Sequence, residues 1–256
     1  VDGTTKWLVG FGGGNAVETV FIPETNRGTL CISSQVGCAL NCTFCATGQF
    51  GFERHLEAGE IAAQVAYANA HLRANPMVGA PPRVTNIVFM GMGEPLLNPD
   101  AVMAACAALS DGNRFGLGQR HITVSTSGVV PGMERLTSLR RQYKLAVSLH
   151  AADDELRDEL VPINRRYPIE TLLEACRRYP LQPHRRITFE YILLEGINDR
   201  PADARRLVKL LHPLKAKVNL IPFNPFPRTA YRRSSGARID RSKVASKACP
   251  SPSART

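Results

Sequence analysis

Cys38, Cys42 and Cys45 stand in a CxxxCxxC spacing, with Cys31 seven residues upstream, and the chain holds seven cysteines in all. Three thiols so close together cannot pair off as disulfides without leaving one over. Soft sulfur donors at this spacing read instead as ligands for a metal or an iron–sulfur cluster. An ordinary cubane cluster takes four cysteines, so three would leave one iron open to bind something else. The competing reading from spacing alone is a tetrahedral zinc site that takes Cys31 as its fourth ligand.

Further polar and Gly-rich segments follow apolar runs at several places in the chain. They are Gly91-Met92-Gly93-Glu94-Pro95, Ser125 to Gly128, Ser148-Leu149-His150 and Asn224-Pro225-Phe226-Pro227. Glu94 offers an acceptor carboxylate, and Gly93 permits close backbone approach. Taken singly, each of these is an ordinary polar residue at a strand end.

The elements that would position them alternate. Strands are expected at 5–10, 16–22, 30–34, 84–90, 121–125, 144–149, 186–194 and 217–221. Helices are expected at 57–73 and 99–110, from about Pro131, and at 153–160, 169–178 and 202–211. In 16–22, Val17, Thr19 and Phe21 share one face and Glu18 lies on the other, where a solvated carboxylate is the plain reading. Residues 46–55 read as a polar loop. Strand–helix units of this number argue for an α/β fold, a parallel sheet closed or nearly closed into a TIM-like (β/α) barrel. Such barrels build their sites at the C-terminal ends of their strands, so the candidate motifs are expected to share one mouth.

At 256 residues and 28.0 kDa the chain suits one large domain, and 44% hydrophobic residues suffice for a core. No apolar run approaches the roughly 18 residues of a membrane span, which argues against a membrane partner. The start lacks a signal-peptide pattern, and an odd cysteine count points to a reducing cytoplasmic setting. The net charge is +10. Residues 228–256 hold eight Lys+Arg against one Asp, or +7, which leaves +3 for the preceding 227. A basic face can neutralise RNA phosphates, although a solvated tail explains the end of the chain as well.

CxxxCxxC with Phe44 before its last cysteine resembles the radical S-adenosylmethionine (SAM) superfamily. Ser33 to Cys42, Met90 to Asn98, Ser125 to Pro131, Ser148 to Ala151, Val161 to Asn164 and Asn219 to Pro227 resemble its RlmN/Cfr family. The resemblance runs in order over about residues 7–241. It implies a radical SAM partial barrel and methylation of an aromatic carbon of adenine in 23S rRNA. The RlmN branch acts at carbon 2 and also on some tRNAs. It implies that Cys38, Cys42 and Cys45 hold a [4Fe-4S] cluster whose open iron binds SAM. Gly93, Glu94, Ser125, Ser148, Leu149, His150 and Asn224 would then contact SAM. It further implies a cysteine near the C-terminus that carries a methyl group, with Cys31 resolving the adduct by disulfide formation. Glu18 would take the proton. An electron donor such as flavodoxin and a monomeric chain complete that picture. Cys106 and Cys176 fall in helical patterns and read as core.

The family pattern continues through Arg241 and then stops. The expected domains are therefore a radical SAM core over 1–241, with short leading strands at 5–22, and a divergent disordered tail over 242–256. In that tail Cys249 precedes Pro250, unlike the Ala-Cys-Gly-Gln setting of the carrier. The carrier reads as lost and the family's N-terminal helical domain as missing. The expectation is a chain that assembles the cluster and binds SAM but methylates RNA poorly. Two alternatives stay open: a Cfr-type carbon 8 enzyme, and a non-catalytic RNA-binding or zinc module.

Overall fold

The computed structural model describes the backbone of residues 3–247 and the side chains of residues 3–242. The strands are β1 (Thr5–Gly10), β2 (Ala16–Glu24), β3 (Arg27–Cys31), β4 (Gln35–Gly37), β5 (Phe52–His55), β6 (Asn86–Phe89), β7 (Ile122–Thr126), β8 (Lys144–Ser148), β9 (Ile187–Leu193) and β10 (Ala216–Pro222). The helices are α1 (Ala46–Gln49), α2 (Ala58–Ala74), α3 (Pro99–Ser110), α4 (Val130–Ser138), α5 (Asp154–Leu160), α6 (Ile169–Arg178), α7 (Pro201–Leu211) and α8 (Gly236–Lys247). The chain divides into two compact units.

The first unit holds the residues up to Ala39, Phe50–Thr126 and Ser138–Leu145. Here β1, β2 and β3 pair antiparallel in succession, and β3, β6 and β7 then pair in parallel. Alternation in β2 buries Val17, Thr19 and Phe21, as expected from its sequence. α2 begins at a capping box between Glu57 and Glu60. It buries Ile61, Val65, Ala68 and Leu72 along one stripe. Gln64 on the same face is fully buried and satisfied. Its side-chain oxygen accepts from Thr19 Oγ1 at 2.8 Å and Ser33 N–H at 2.9 Å, and its amide donates to Ser33 C=O at 2.9 Å. A buried amide with this many partners fixes the chain leaving β3.

The second unit holds Leu40–Gln49, Ser127–Thr137 and the residues from Ala146 onward. In it β8, β9 and β10 are parallel. Val147, Phe189, Tyr191, Leu193 and Leu173 are buried. Asn198 staples the turn after β9. Its side chain accepts from Leu194 N–H at 2.8 Å and donates to the carbonyls of His150 at 2.8 Å and Ile192 at 2.7 Å.

Three local expectations are corrected. The strand expected over 30–34 ends at Cys31, because Ser34 N–H and Gln35 N–H turn to Met92 C=O at 2.9 and 3.2 Å. The polar loop expected over 46–55 contains α1 and β5, and β5 pairs antiparallel with β4. The disordered tail expected from Ser242 is overturned as far as Lys247, where α8 ends. No Pro interrupts 236–247, and Ile239 and Ser242 are buried, so the helix has an inward face despite its polar composition. The rest of the expected tail, with Cys249, lies outside the described residues.

Candidate active site

The cysteine loop is shaped by glycines. Cys38 follows β4, and its N–H donates to Gly51 C=O at 2.8 Å. Gly37 has φ +74°, and a Cβ there would collide with the Gly51 carbonyl oxygen. No L-residue with a side chain fits that crossing. Farther along, Asn41 adopts φ +52° and Cys45 N–H donates to Cys42 C=O at 3.0 Å, closing a tight turn. A Cβ on Gly48 would lie 3.1 Å from Cys42 C=O. Within the second unit, Thr43 N–H donates to Leu160 C=O at 3.1 Å. Phe44 meets the His150 ring edge-on at 4.6 Å between centroids.

Cys38, Cys42 and Cys45 form no disulfide and are partly exposed. Three accessible soft donors on a glycine-shaped loop suit an iron–sulfur cluster in donor chemistry. Among the described residues no three Cys, His, Asp or Glu side chains are grouped closely enough to hold a metal ion as they stand. The expected disulfide bond is not supported, because no disulfide is present among the described cysteines.

In the first unit, Gly93 has φ +96°, and a Cβ on it would lie 2.5 Å from Gln35 Cβ. Glu94 is buried, and its carboxylate caps the short turn Pro95–Leu97 by accepting Leu96 N–H at 3.0 Å. Ser125 is buried near the C-terminal end of β7. Cys31 pairs with Val20 across β3 and β2. Burial pushes its thiol up to about 11, against the pull of a Met90 backbone hydrogen bond, and the Glu18 carboxylate adds to the rise. The Glu18 side chain is about half exposed and ion-paired with Lys6. Its carbonyl accepts from Ser33 Oγ at 2.7 Å, and that oxygen accepts Met92 N–H at 2.8 Å. Glu18, Cys31 and the Gly93 loop thus belong to one hydrogen-bonded region of the first unit.

In the second unit, Ser148 ends β8 half-buried, and Leu149 and His150 are buried. His150 has φ +61°. Its Nδ1 accepts Ile192 N–H at 3.1 Å, which leaves the proton on Nε2. Burial, with Arg157 adding, depresses its pKa to about 3, so the ring is neutral at physiological pH. Asn224 is exposed after β10 and accepts from Arg233 Nη1 at 2.7 Å.

Three residues escaped the sequence reading. Gln35 stands inside a motif block but reads as an ordinary loop amide. Arg157 is followed by Asp158 and Glu159 on a short helix and reads as surface, yet it is fully buried. Glu190 on β9 is a buried carboxylate that accepts from Asn219 Nδ2 at 2.6 Å, and burial raises its pKa. For Arg157 and Glu190, only the register of neighbouring elements reveals the inward direction.

Residues 32–208 match the Radical SAM superfamily. The dual-specificity RNA methyltransferase RlmN of Syntrophobacter fumaroxidans is 54% identical over 238 residues, 93% of this chain and 68% of that protein. The chain belongs to the radical SAM superfamily, in the RlmN family. Its counterpart in Alkalilimnicola ehrlichii is 53% identical over 241 residues, 93% of this chain and 65% of that protein. The chain thus spans about two thirds of the length of these relatives. A crystal structure of a radical SAM methyltransferase from Sphaerobacter thermophilus superposes with a TM-score of 0.91 at 47% identity. That match covers 97% of this chain and 72% of the other. The fold is therefore the α/β radical SAM fold, and the cofactors that go with it are a [4Fe-4S] cluster and SAM. No described helix is long and apolar enough to cross a membrane.

Proposed function

We propose that this chain is the catalytic core of a radical SAM RNA methyltransferase that methylates carbon 2 of adenine in 23S rRNA and in tRNA. The observation that carries the reading is 54% identity, across 93% of the chain, to a protein named as a dual-specificity RNA methyltransferase. Cys38, Cys42 and Cys45 would hold the cluster and leave its fourth iron for SAM. When bound, the cluster and SAM supply a carbon radical by one-electron cleavage of the sulfonium. Adenine carbon 2 is not nucleophilic, which is why a radical is required.

The protein's own residues supply binding and proton handling. Gly93 lets backbone approach the ligand closely, and Glu94 presents an anchored carboxylate that suits the SAM ammonium. Ser125, Ser148, Leu149 and Asn224 complete the proposed SAM contacts. His150 joins them as a neutral ring that donates through Nε2, the tautomer its Ile192 hydrogen bond selects. Cys31 is the proposed resolving thiol. At neutral pH it is protonated, so it reacts only after giving up that proton, and neighbouring Glu18 is the carboxylate whose charge it feels. Glu18 must leave Lys6 to act as a base toward the adenine. Electrons from a flavodoxin-type donor and a monomeric enzyme in a reducing cytoplasm complete the proposal.

The test is anaerobic reconstitution with iron and sulfide, followed by SAM and a 23S rRNA fragment, with the product nucleosides mapped by mass spectrometry. A brown protein with about four irons per chain and any methyl at carbon 2 support the reading. Methyl at carbon 8 assigns the chain to the Cfr branch. A colourless zinc protein overturns the enzyme reading.

A further inference from the structure

Arg157 is the largest fully buried side chain in the described structure. Each of its nitrogens donates. Nε reaches Leu149 C=O at 3.0 Å, and Nη1 reaches Asn164 Oδ1 at 2.7 Å. Nη2 reaches Ser127 C=O at 2.7 Å and Ser148 C=O at 3.1 Å. Asn164 is held in turn, because its amide donates to Asp154 Oδ1 at 2.8 Å and Asp158 Oδ1 at 2.7 Å. The planar fork of a guanidinium locks several acceptors in a fixed arrangement that a lysine ammonium cannot reproduce. Burying a charge to bind main-chain carbonyls is costly unless every bond is made. Apart from the bond to Asn164, the bonds here go to Ser148 at the end of β8, to Leu149 just beyond it and to Ser127 just after β7.

The helix that carries Arg157 also supports the cysteine loop. On α5, Leu160 accepts Thr43 N–H at 3.1 Å. Leu160 and Val161 belong to a buried cluster against which Leu156, Cys42 and Phe44 pack. One short helix therefore grips the Cys42–Phe44 stretch through its carbonyl terminus and apolar side chains. It grips the Ser148–Leu149 backbone through its arginine. Both contacts lie within the second unit.

We propose that Arg157 is a positioning residue for SAM, fixing the Ser148–His150 segment against the helix that supports Cys42. The proposal rests on the functional reading above and deepens it. Arg157 touches neither the cluster nor the reacting atoms. It acts by setting the carbonyl geometry, and with it the φ +61° conformation of His150, in which the segment receives its ligand.

The experiment compares reconstituted wild type, R157K and N164A, the last leaving the guanidinium in place. Iron content, melting temperature, SAM affinity by equilibrium dialysis and the EPR spectrum of the reduced cluster with and without SAM are measured. R157K is expected to keep about four irons per chain. It should bind SAM about tenfold more weakly, the loss that one displaced hydrogen bond to a charged group produces. Its cluster spectrum should respond less to saturating SAM, a change that general destabilisation would not produce. N164A is expected to shift affinity in the same direction by a smaller factor. If R157K does not fold, N164A decides the outcome by the same readouts. SAM affinity and spectral response within twofold of wild type in the folded variant overturn the proposal alone. Loss of iron at an unchanged melting temperature also overturns it, because the residue would then serve cluster retention. A wild-type chain that takes up iron but no SAM overturns the reading beneath it, and the proposal with it.

Discussion

Gln35 accepts the backbone N–H of Glu94 on its side-chain oxygen at 2.7 Å, and its amide stands 3.0 Å from His55 Nδ1. One side chain thus links the β4–β5 hairpin, which leads into Cys38, to the Gly93-Glu94 turn. The turn can come this close only because Gly93 has no Cβ. G93A is expected to destabilise the protein by about 1–3 kcal/mol through its positive φ and the collision with Gln35. It should also weaken SAM binding more than Q35A does, since Q35A removes a bond without forcing the turn outward. Thermal melts and SAM dialysis on the same reconstituted samples check both.

The ligand assignment separates the loop cysteines from the core ones. C38A, C42A and C45A should each reconstitute with markedly less iron and without the brown chromophore. C106A should keep its iron and lose about 1 kcal/mol of stability to a small cavity, because Cys106 is buried in α3. Equal iron in all four variants would remove the cluster from this loop.

Glu18 and Cys31 are expected to act after SAM cleavage. C31A and E18Q should retain the cluster and the cleavage of SAM to methionine while losing the weak methyl transfer to adenine expected of the wild-type chain. The pH dependence of Cys31 alkylation tests their proximity. With its thiol held up to about 11, chiefly by burial and partly by Glu18, alkylation should stay slow at pH 8 and rise toward that value. E18Q removes the negative charge, so its rise should begin at lower pH. An unshifted profile would separate the two residues.

His150 makes the protein acid-sensitive. Its folded pKa of about 3 lies below the ordinary 6.5, chiefly because of burial, so the unfolded chain binds the extra proton between these values. That stabilisation is complete above 6.5 and is lost as pH falls toward 3, at no more than about 1.4 kcal/mol per pH unit. H150Q should show a flatter dependence of the urea midpoint over this window. A slope equal to that of wild type would assign the acid sensitivity to other groups.

Most of the element order was legible in the sequence because apolar periodicity is a local property. The α6 bounds over 169–178 agree with the structure, and β2 buries the face expected of it. The β4–β5 hairpin was not legible. Gln35–Gly37 and Phe52–His55 are three and four residues long, and Phe52 is exposed. Their pairing is fixed by the close crossing of Gly37 and Gly51, which no periodicity encodes. α8 escaped for a related reason, since a helix with few apolar residues is held by what it packs against.

The sequence by itself determined the chemistry. Three cysteines at a cluster spacing and a series of ordered motif blocks are covalent facts, and they led to the family without coordinates. Tertiary structure alone decided the state of the groups around that chemistry. It made Cys31 a protonated thiol beside Glu18, His150 a neutral ring with its proton on Nε2, and Arg157 an internal strut. Those properties depend on desolvation and on partners distant in sequence, from His150 to Ile192 and from Arg157 to Ser127.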